Sequence, residues 1–212
     1  MSNRAVKNQK EEVPFFHYLE IYKNLNPQEI AGRCGLLFDK DISAFRLRFM
    51  GIEYQAPFPD FALQDKTGSD VKSLAEKILI LHYLCEGRYV DYRGNQRSYQ
   101  EIPWGGVYYP NFRGRCILRF AHTFGNDLIT FKRIMEETKG LQAEPLKQGD
   151  AGYRFEFLTG LYMSLLLWAG DEEFPASAQI LFDDNFEFAF TAEDIAVVGE
   201  IVVSRLKALR NK

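Results

Sequence analysis

Five carboxylates, Asp171, Glu172, Glu173, Asp183 and Asp184, punctuate a stretch that is otherwise apolar enough to be core, WAGDEEFPASAQILFDD over residues 168–184. If the strand-like run 161–168 and the run ending at Asp183 are neighbours, Asp171, Glu173 and Asp183 converge at one sheet edge. Three carboxylate oxygens at one point suit a hard divalent cation such as Mg²⁺ or Ca²⁺. Glu172 stands beside them. The competing and more ordinary reading is an exposed acidic turn, with Asp183 and Asp184 bonding their own backbone as turn residues do. That reading expects Trp168, Phe174 and Phe182 to be buried while the charges between them stay in water.

A second group is cationic. Residues 86–120 carry six arginines against three acids, a local excess of positive charge in a chain whose net charge is -3. If residues 111–123 are helical, Arg115, Leu118, Arg119 and His122 share a face. Arg113 and the aromatic residues Trp104, Tyr108 and Tyr109 lie close by in sequence. Guanidinium forks match phosphate and carboxylate geometry, so this segment is the best candidate for binding an anionic small molecule or an acidic protein partner. The plainer alternative is a solvated face in ion pairs with the acidic remainder of the chain.

Sulfur and imidazole offer less. His82 and Cys85 share a helix face, but Cys116 and His122 are six residues apart, about 240° around a helix. Structural zinc sites use tight paired spacing, so Cys85 and His82 read as core residues. The phosphate-cradling, dinucleotide, zinc-protease and nucleophile-elbow signatures are absent from the sequence. Paired-carboxylate hydrolysis leaves no fixed spacing and stays open. No cofactor is indicated.

The whole chain bounds these choices. At 212 residues, 46% hydrophobic and 15% aromatic, it has enough apolar material for a sizeable core. The net charge gives no electrostatic case for nucleic acid or an anionic membrane. No apolar run approaches the roughly 20 residues of a membrane span. Three scattered cysteines and a polar start without an apolar signal core point to a cytoplasmic location.

Periodicity supplies the scaffold for these groups. Residues 1–12 read as a frayed tail and 13–212 as one domain, with a possible division at the polar connector 141–149. A short helix carries Phe15, Phe16, Leu19 and Tyr22. Asn26, Pro27 and Glu29 start a second helix that ends by Gly35. Phe45, Leu47 and Phe49 alternate with Arg46 and Arg48 as a strand with one wet face. Pro57 and Pro59 interrupt this pattern, and residues 61–63 resume it. Val71 through Cys85 read as an enclosed central helix, followed by loops around a short strand near 98–102. Helices are expected over 111–123 and 126–139. Tyr153, Phe155 and Phe157 then alternate, turn at Thr159-Gly160 and return over 161–168. Phe186, Phe188 and Phe190 continue the alternation, and a helix closes the chain with acids in its first turn and Lys207 and Arg210 in its last. The resulting fold class is α+β, with mostly antiparallel strands from both ends of the chain and a helical middle packed on one sheet face.

Taken in order, the ILILHYL helix, the segment Y-x-E-I-P-W-G-G-x-Y-Y and the run W-x-GDEEFPA-x-x-x-ILFDD resemble an uncharacterised prokaryotic domain-of-unknown-function family, mainly of anaerobes. The resemblance extends from about residue 20 to the C-terminus and brings no established activity or site residue. It implies a role near anaerobic redox or corrinoid metabolism, because some relatives are joined to iron–sulfur domains. This chain lacks the cysteines for such a cluster. The functional expectation is therefore a binding module, ahead of a divalent-metal-dependent enzyme or a structural accessory subunit.

Overall fold

A computed structural model describes residues 9–210. Its contacts divide the chain into two units, one of Met1–Leu47 with Glu53–Tyr89 and one of Arg48–Ile52 with Val90–Lys212. The division falls at Tyr89, not at the connector 141–149. Of the twelve residues read as a tail, 1–8 lie outside the described residues, and Gln9–Glu12 form the first turn of α1 (Gln9–Lys23).

In the first unit α2 (Pro27–Cys34) has the expected ends. The Asn26 side chain accepts from the Gln28 N–H at 2.9 Å, and Gly35 takes the left-handed conformation that closes a helix. β1 (Leu37–Asp39) pairs antiparallel with β2 (Ala44–Phe49), which buries Phe45, Leu47 and Phe49 and exposes Arg46 and Arg48. β3 (Ile52–Pro57) is a full strand that the prolines hid, because Pro57 comes only at its last position and Pro59 lies beyond it. It pairs with β4 (Gln64–Asp65), while residues 61–63 form no strand. Tyr22 is fully buried against Phe45, Phe58 and Phe61 and donates to the Pro57 carbonyl at 3.2 Å. α3 (Leu74–Cys85), capped by Ser73, buries Leu79, Ile80, Leu81, Tyr83 and Leu84. His82 lies against the Tyr18 ring, 3.8 Å between centroids.

The second unit is built on an antiparallel sheet. β5 (Gln96–Ser98) is shorter and earlier than expected, since Ser98 caps a 3₁₀ turn over Tyr99–Glu101 instead of continuing the strand. The connector read as a linker holds β6 (Glu144–Leu146), which pairs with β7 (Ala151–Leu158). β7 turns into β8 (Leu161–Trp168), and β8 pairs with β9 (Ser177–Asp183), whose far side carries β5. Phe49 joins the β7 edge opposite Leu158, and Gly51 meets the Gly140 backbone too closely for a side chain at either glycine.

One sheet face, with Tyr153, Phe155 and Phe157 of β7 and Phe182 of β9, is the apolar side. A helix opens at Gly105, not at Asn111: α4 (Gly105–Phe112) passes through a π-helical stretch, Arg113–Leu118, into α5 (Arg119–Phe124). Phe112 meets Phe182 at 6.1 Å, and Phe131 of α6 (Leu128–Glu137) meets Tyr153 at 5.7 Å, so the helical middle covers this face. Phe186, Phe188 and Phe190 do not extend the sheet, because residues 186–189 coil into the short helix α7 (Phe186–Ala189). α8 (Ala192–Arg210) opens with Thr191 and Asp194 capping each other reciprocally. No helix among the described residues is long and apolar enough to cross a membrane.

α8 approaches the π-helical stretch at Gly199, where a Cβ would stand 2.9 Å from both Cys116 Sγ and the Phe112 ring. Both neighbours are fully buried and have no open space to swing into. Gly199→Ala is therefore expected to destabilise the protein by about 1–3 kcal/mol through overpacking, despite alanine's better helix propensity. Urea unfolding checks this, and a variant as stable as the parent would mean the two helices separate freely.

Candidate functional site

The helix that carries the arginines begins under constraint. A Cβ on Gly105 would collide with the Tyr99 carbonyl, and Trp104 is held at φ 65°, a left-handed conformation rare for a bulky side chain. The π-helical stretch then widens the turn, a distortion often found at functional sites. It turns Cys116 inward, where Sγ donates to the Ala196 carbonyl at 3.5 Å, and leaves open space around Gly114.

Beyond that turn Leu118, Arg119 and His122 come to the surface beside the end of α8, with Thr123 buried beneath them. Together with Gly114, Lys207 and Arg210 they line a groove of about 600 Å³. Arg119 donates to Ser204 Oγ at 3.1 Å. Arg210 donates to the Thr123 carbonyl at 2.8 Å and pairs with Asp127 at 3.3 Å, so it closes α5 as well as facing the groove. No carboxylate pairs with Arg119 or Lys207 among the described residues, and none lines the groove.

The expected cationic group is only partly assembled. Arg119 and His122 share the groove, whereas Arg115 forms an ion pair with Glu200 and lies outside it. Arg113, Trp104 and Tyr108 are exposed and Tyr109 half-buried, and none of them lines it. Lys207 and Arg210 escape a reading of the sequence because at the last turn of a helix they look like partners of its dipole. Their distance in sequence from Arg119 conceals the convergence.

The acidic residues do not come together. Asp171 Oδ1 accepts the N–H groups of Phe174 at 2.7 Å and Glu173 at 2.8 Å, and these bonds lower its pKa. Glu172 and Glu173 are exposed. Asp183 sits at the other end of β9, whose seven residues span roughly 20 Å. No three His, Cys, Asp or Glu side chains among the described residues are grouped so as to hold a metal ion. Trp168 and Phe174, expected inside, are 37% and 67% exposed, since the chain leaves the sheet at Trp168 and the turn centred on Asp171 directs Phe174 outward. Phe182 is fully buried as expected.

Asp183, on the sheet face opposite the helices, and Asp184 and Asn185 just past the end of β9 instead act as internal clamps. Asp183 is bonded by Arg154 at 2.5 Å and by Gln96 at 3.2 Å, and Gln96 also donates to Ser164 Oγ at 2.7 Å. Asp184 holds the N–H groups of Arg93 and Asn95, and Asn185 donates to the carbonyls of Val90 and Gly160. These three adjacent residues fix the loop 90–96 against the sheet. Thiol chemistry is equally muted, because burial pushes the Cys85 and Cys116 pKa values up to about 12, and a protonated thiol is a poor nucleophile or ligand.

The fold and the groove together describe an α+β protein with a cationic hollow. The family model described as a domain of unknown function, DUF3786, matches residues 26–205, and the chain belongs to that family. Comparison with curated proteins and with solved structures gives no match.

Proposed function

We propose that this protein binds an anionic small molecule in the groove between α5 and the end of α8. The observation that carries the reading is the convergence of Arg119, Lys207 and Arg210 on a hollow of about 600 Å³ that no carboxylate lines. That volume is within the range of small-molecule sites. Arg119 offers a planar fork to an oxyanion, Lys207 adds a mobile point charge, and Leu118 supplies an apolar wall for the rest of the ligand. The exposed acidic turn gives no comparable support to a metal-dependent reaction.

Titration calorimetry at low salt with inorganic phosphate, a phosphomonoester and a tricarboxylate is the test. Arg119→Ala with Lys207→Ala is expected to weaken the best of these by at least about tenfold, since each charge-assisted contact contributes on the order of 1.5–3 kcal/mol. Affinity in the parent should fall as salt screens the groove. Arg115→Ala, which removes a cation outside the groove, should leave binding close to the parent value. Absence of binding by the parent at low salt, or equal binding by the double variant, would overturn the reading.

A further inference from the structure

We propose that a second copy of this chain docks on the groove-bearing surface of the second unit, with the 170–175 loop of each copy seated over the cationic groove of the other. Three features make that surface self-complementary, and they are contiguous. The first is the acidic loop. Asp171 spends its carboxylate on the backbone of the turn, so the turn is fixed, and Glu172 and Glu173 are left exposed with no ion pair among the described residues. The second is an apolar pair, Ile129 and Phe174, 83% and 67% exposed. Ile129 and Gly170 line one hollow of about 380 Å³, and the Phe174 carbonyl closes the 171–174 turn on Asp171 beside it. The third is the cationic groove.

The joins between them are visible. Gly125 lies so close to Ala176 that no side chain would fit there, which ties the loop to the end of α5. Asp127 lines the hollow beside Ile129 and also pairs with Arg210 of the groove. Single exposed apolar residues are ordinary on a protein surface. Two large ones, Ile129 lining the hollow and Phe174 on the turn that adjoins it, with unpaired acids in that turn and cations beyond Asp127, have the apolar centre and charged margin of an interface. An acidic patch next to a basic patch is matched to its own copy by a two-fold axis passing between them. That operation makes the same contact twice and closes the assembly. A partner with a different sequence would have to supply both charge signs in this arrangement, and the chain already does. This inference does not rest on the small-molecule reading, although both use the groove.

Sedimentation of the full chain over micromolar concentrations at low and moderate salt is the experiment. A reversible monomer–dimer equilibrium is expected, loosened by salt and weakened at least about tenfold by Ile129→Glu with Phe174→Glu. Two charge-reversed variants sharpen the test. Glu172→Arg with Glu173→Arg places basic against basic, and Arg119→Glu with Lys207→Glu places acidic against acidic, so each alone should be monomeric. Mixed together, the two should form a one-to-one dimer, because both contacts of the pair are then attractive. Far-ultraviolet circular dichroism confirms that each variant is folded before mixing. A parent monomeric at all concentrations, a dimer indifferent to these changes, or a mixture that grows into longer chains would overturn the two-fold arrangement. A monomeric parent that still binds phosphate would overturn the dimer alone, whereas a dimerising parent that binds no small anion even when diluted to monomer, with the groove uncovered, would overturn the ligand reading alone.

Discussion

Replacing Arg154 by methionine is expected to cost on the order of 3–5 kcal/mol at neutral pH, because it leaves the Asp183 carboxylate buried without its counter-charge. The Asp183 side chain is inaccessible to solvent, and its Oδ2 accepts from Arg154 at 2.5 Å while Oδ1 takes only the neutral amide of Gln96. The guanidinium is itself held between the rings of Tyr162 and Tyr92, at 4.4 and 5.2 Å. Burial raises the Asp183 pKa, and the Arg154 bond and charge oppose that rise. A carboxyl group raised in the folded state binds its proton more tightly there than in the unfolded chain. Its burden on stability is therefore absent below the unfolded pKa of about 3.9, builds as pH rises from there toward the folded value, and is complete above it. Removing Arg154 moves that folded value further up. The loss in the variant should be largest at neutral pH and shrink as pH falls toward about 4. Urea unfolding of parent and variant across that range measures it. Adding Asp183→Asn to the variant should recover a large part of the loss, since an amide needs no counter-charge. A single variant within about 1 kcal/mol of the parent at neutral pH would show that the pair is not what keeps Asp183 inside.

The Arg154–Asp183 clamp also marks where the sequence stops being legible. Asn26, Pro27 and Gly35 announce α2 because each acts on backbone groups within a few residues. The β7–β8 hairpin and α8 are readable for the same reason, through period-two alternation about Thr159-Gly160 and through the stripe of Ile195, Val198, Val202 and Leu206. Arg154 and Asp183 lie 29 residues apart and meet on strands that flank β8, so no local spacing signals them. Asp183 and Asp184 look like turn residues, yet both are buried and hold segments distant in sequence. Local rules mislead at particular places. Gly105 and Gly106 read as loop residues, but a helix starts there because only glycine fits against the Tyr99 carbonyl. Phe186, Phe188 and Phe190 have strand spacing, yet Phe186 packs against Phe157 and Phe182, and one helical turn serves that contact. Of the candidate groove, Arg119 and His122 are readable from one helix face. Lys207 and Arg210 lie 88 and 91 residues after Arg119, and only the packing of α8 on the π-helical stretch brings them there.

Phe182→Ala should cost about 3–5 kcal/mol, whereas Phe174→Ala, eight residues earlier in the same motif, should cost under about 0.5 kcal/mol. Phe182 is fully buried opposite Met163 in the sheet, and its ring lies 5.2 Å from Phe186 and 6.1 Å from Phe112. Phe112 is in turn stacked on Tyr99 at 4.0 Å, and the Tyr99 hydroxyl donates to the Ala192 carbonyl at the start of α8. Truncating Phe182 removes the group that joins β9 to α4 and α7, and these neighbours are held by their own backbones too firmly to fill the void. The remaining cavity adds to the lost burial, so Phe182→Leu should cost distinctly less than Phe182→Ala. Phe174 has no such neighbours to lose. Denaturant midpoints for the three variants, measured at low protein concentration so that any dimer is dissociated, separate the two roles. Should Phe182→Ala prove nearly neutral, the aromatic layer between sheet and helices would not be what holds the second unit together. If instead Phe174→Ala were as costly as Phe182→Ala, its ring would have to be buried, and the exposed apolar surface proposed for the dimer would be gone.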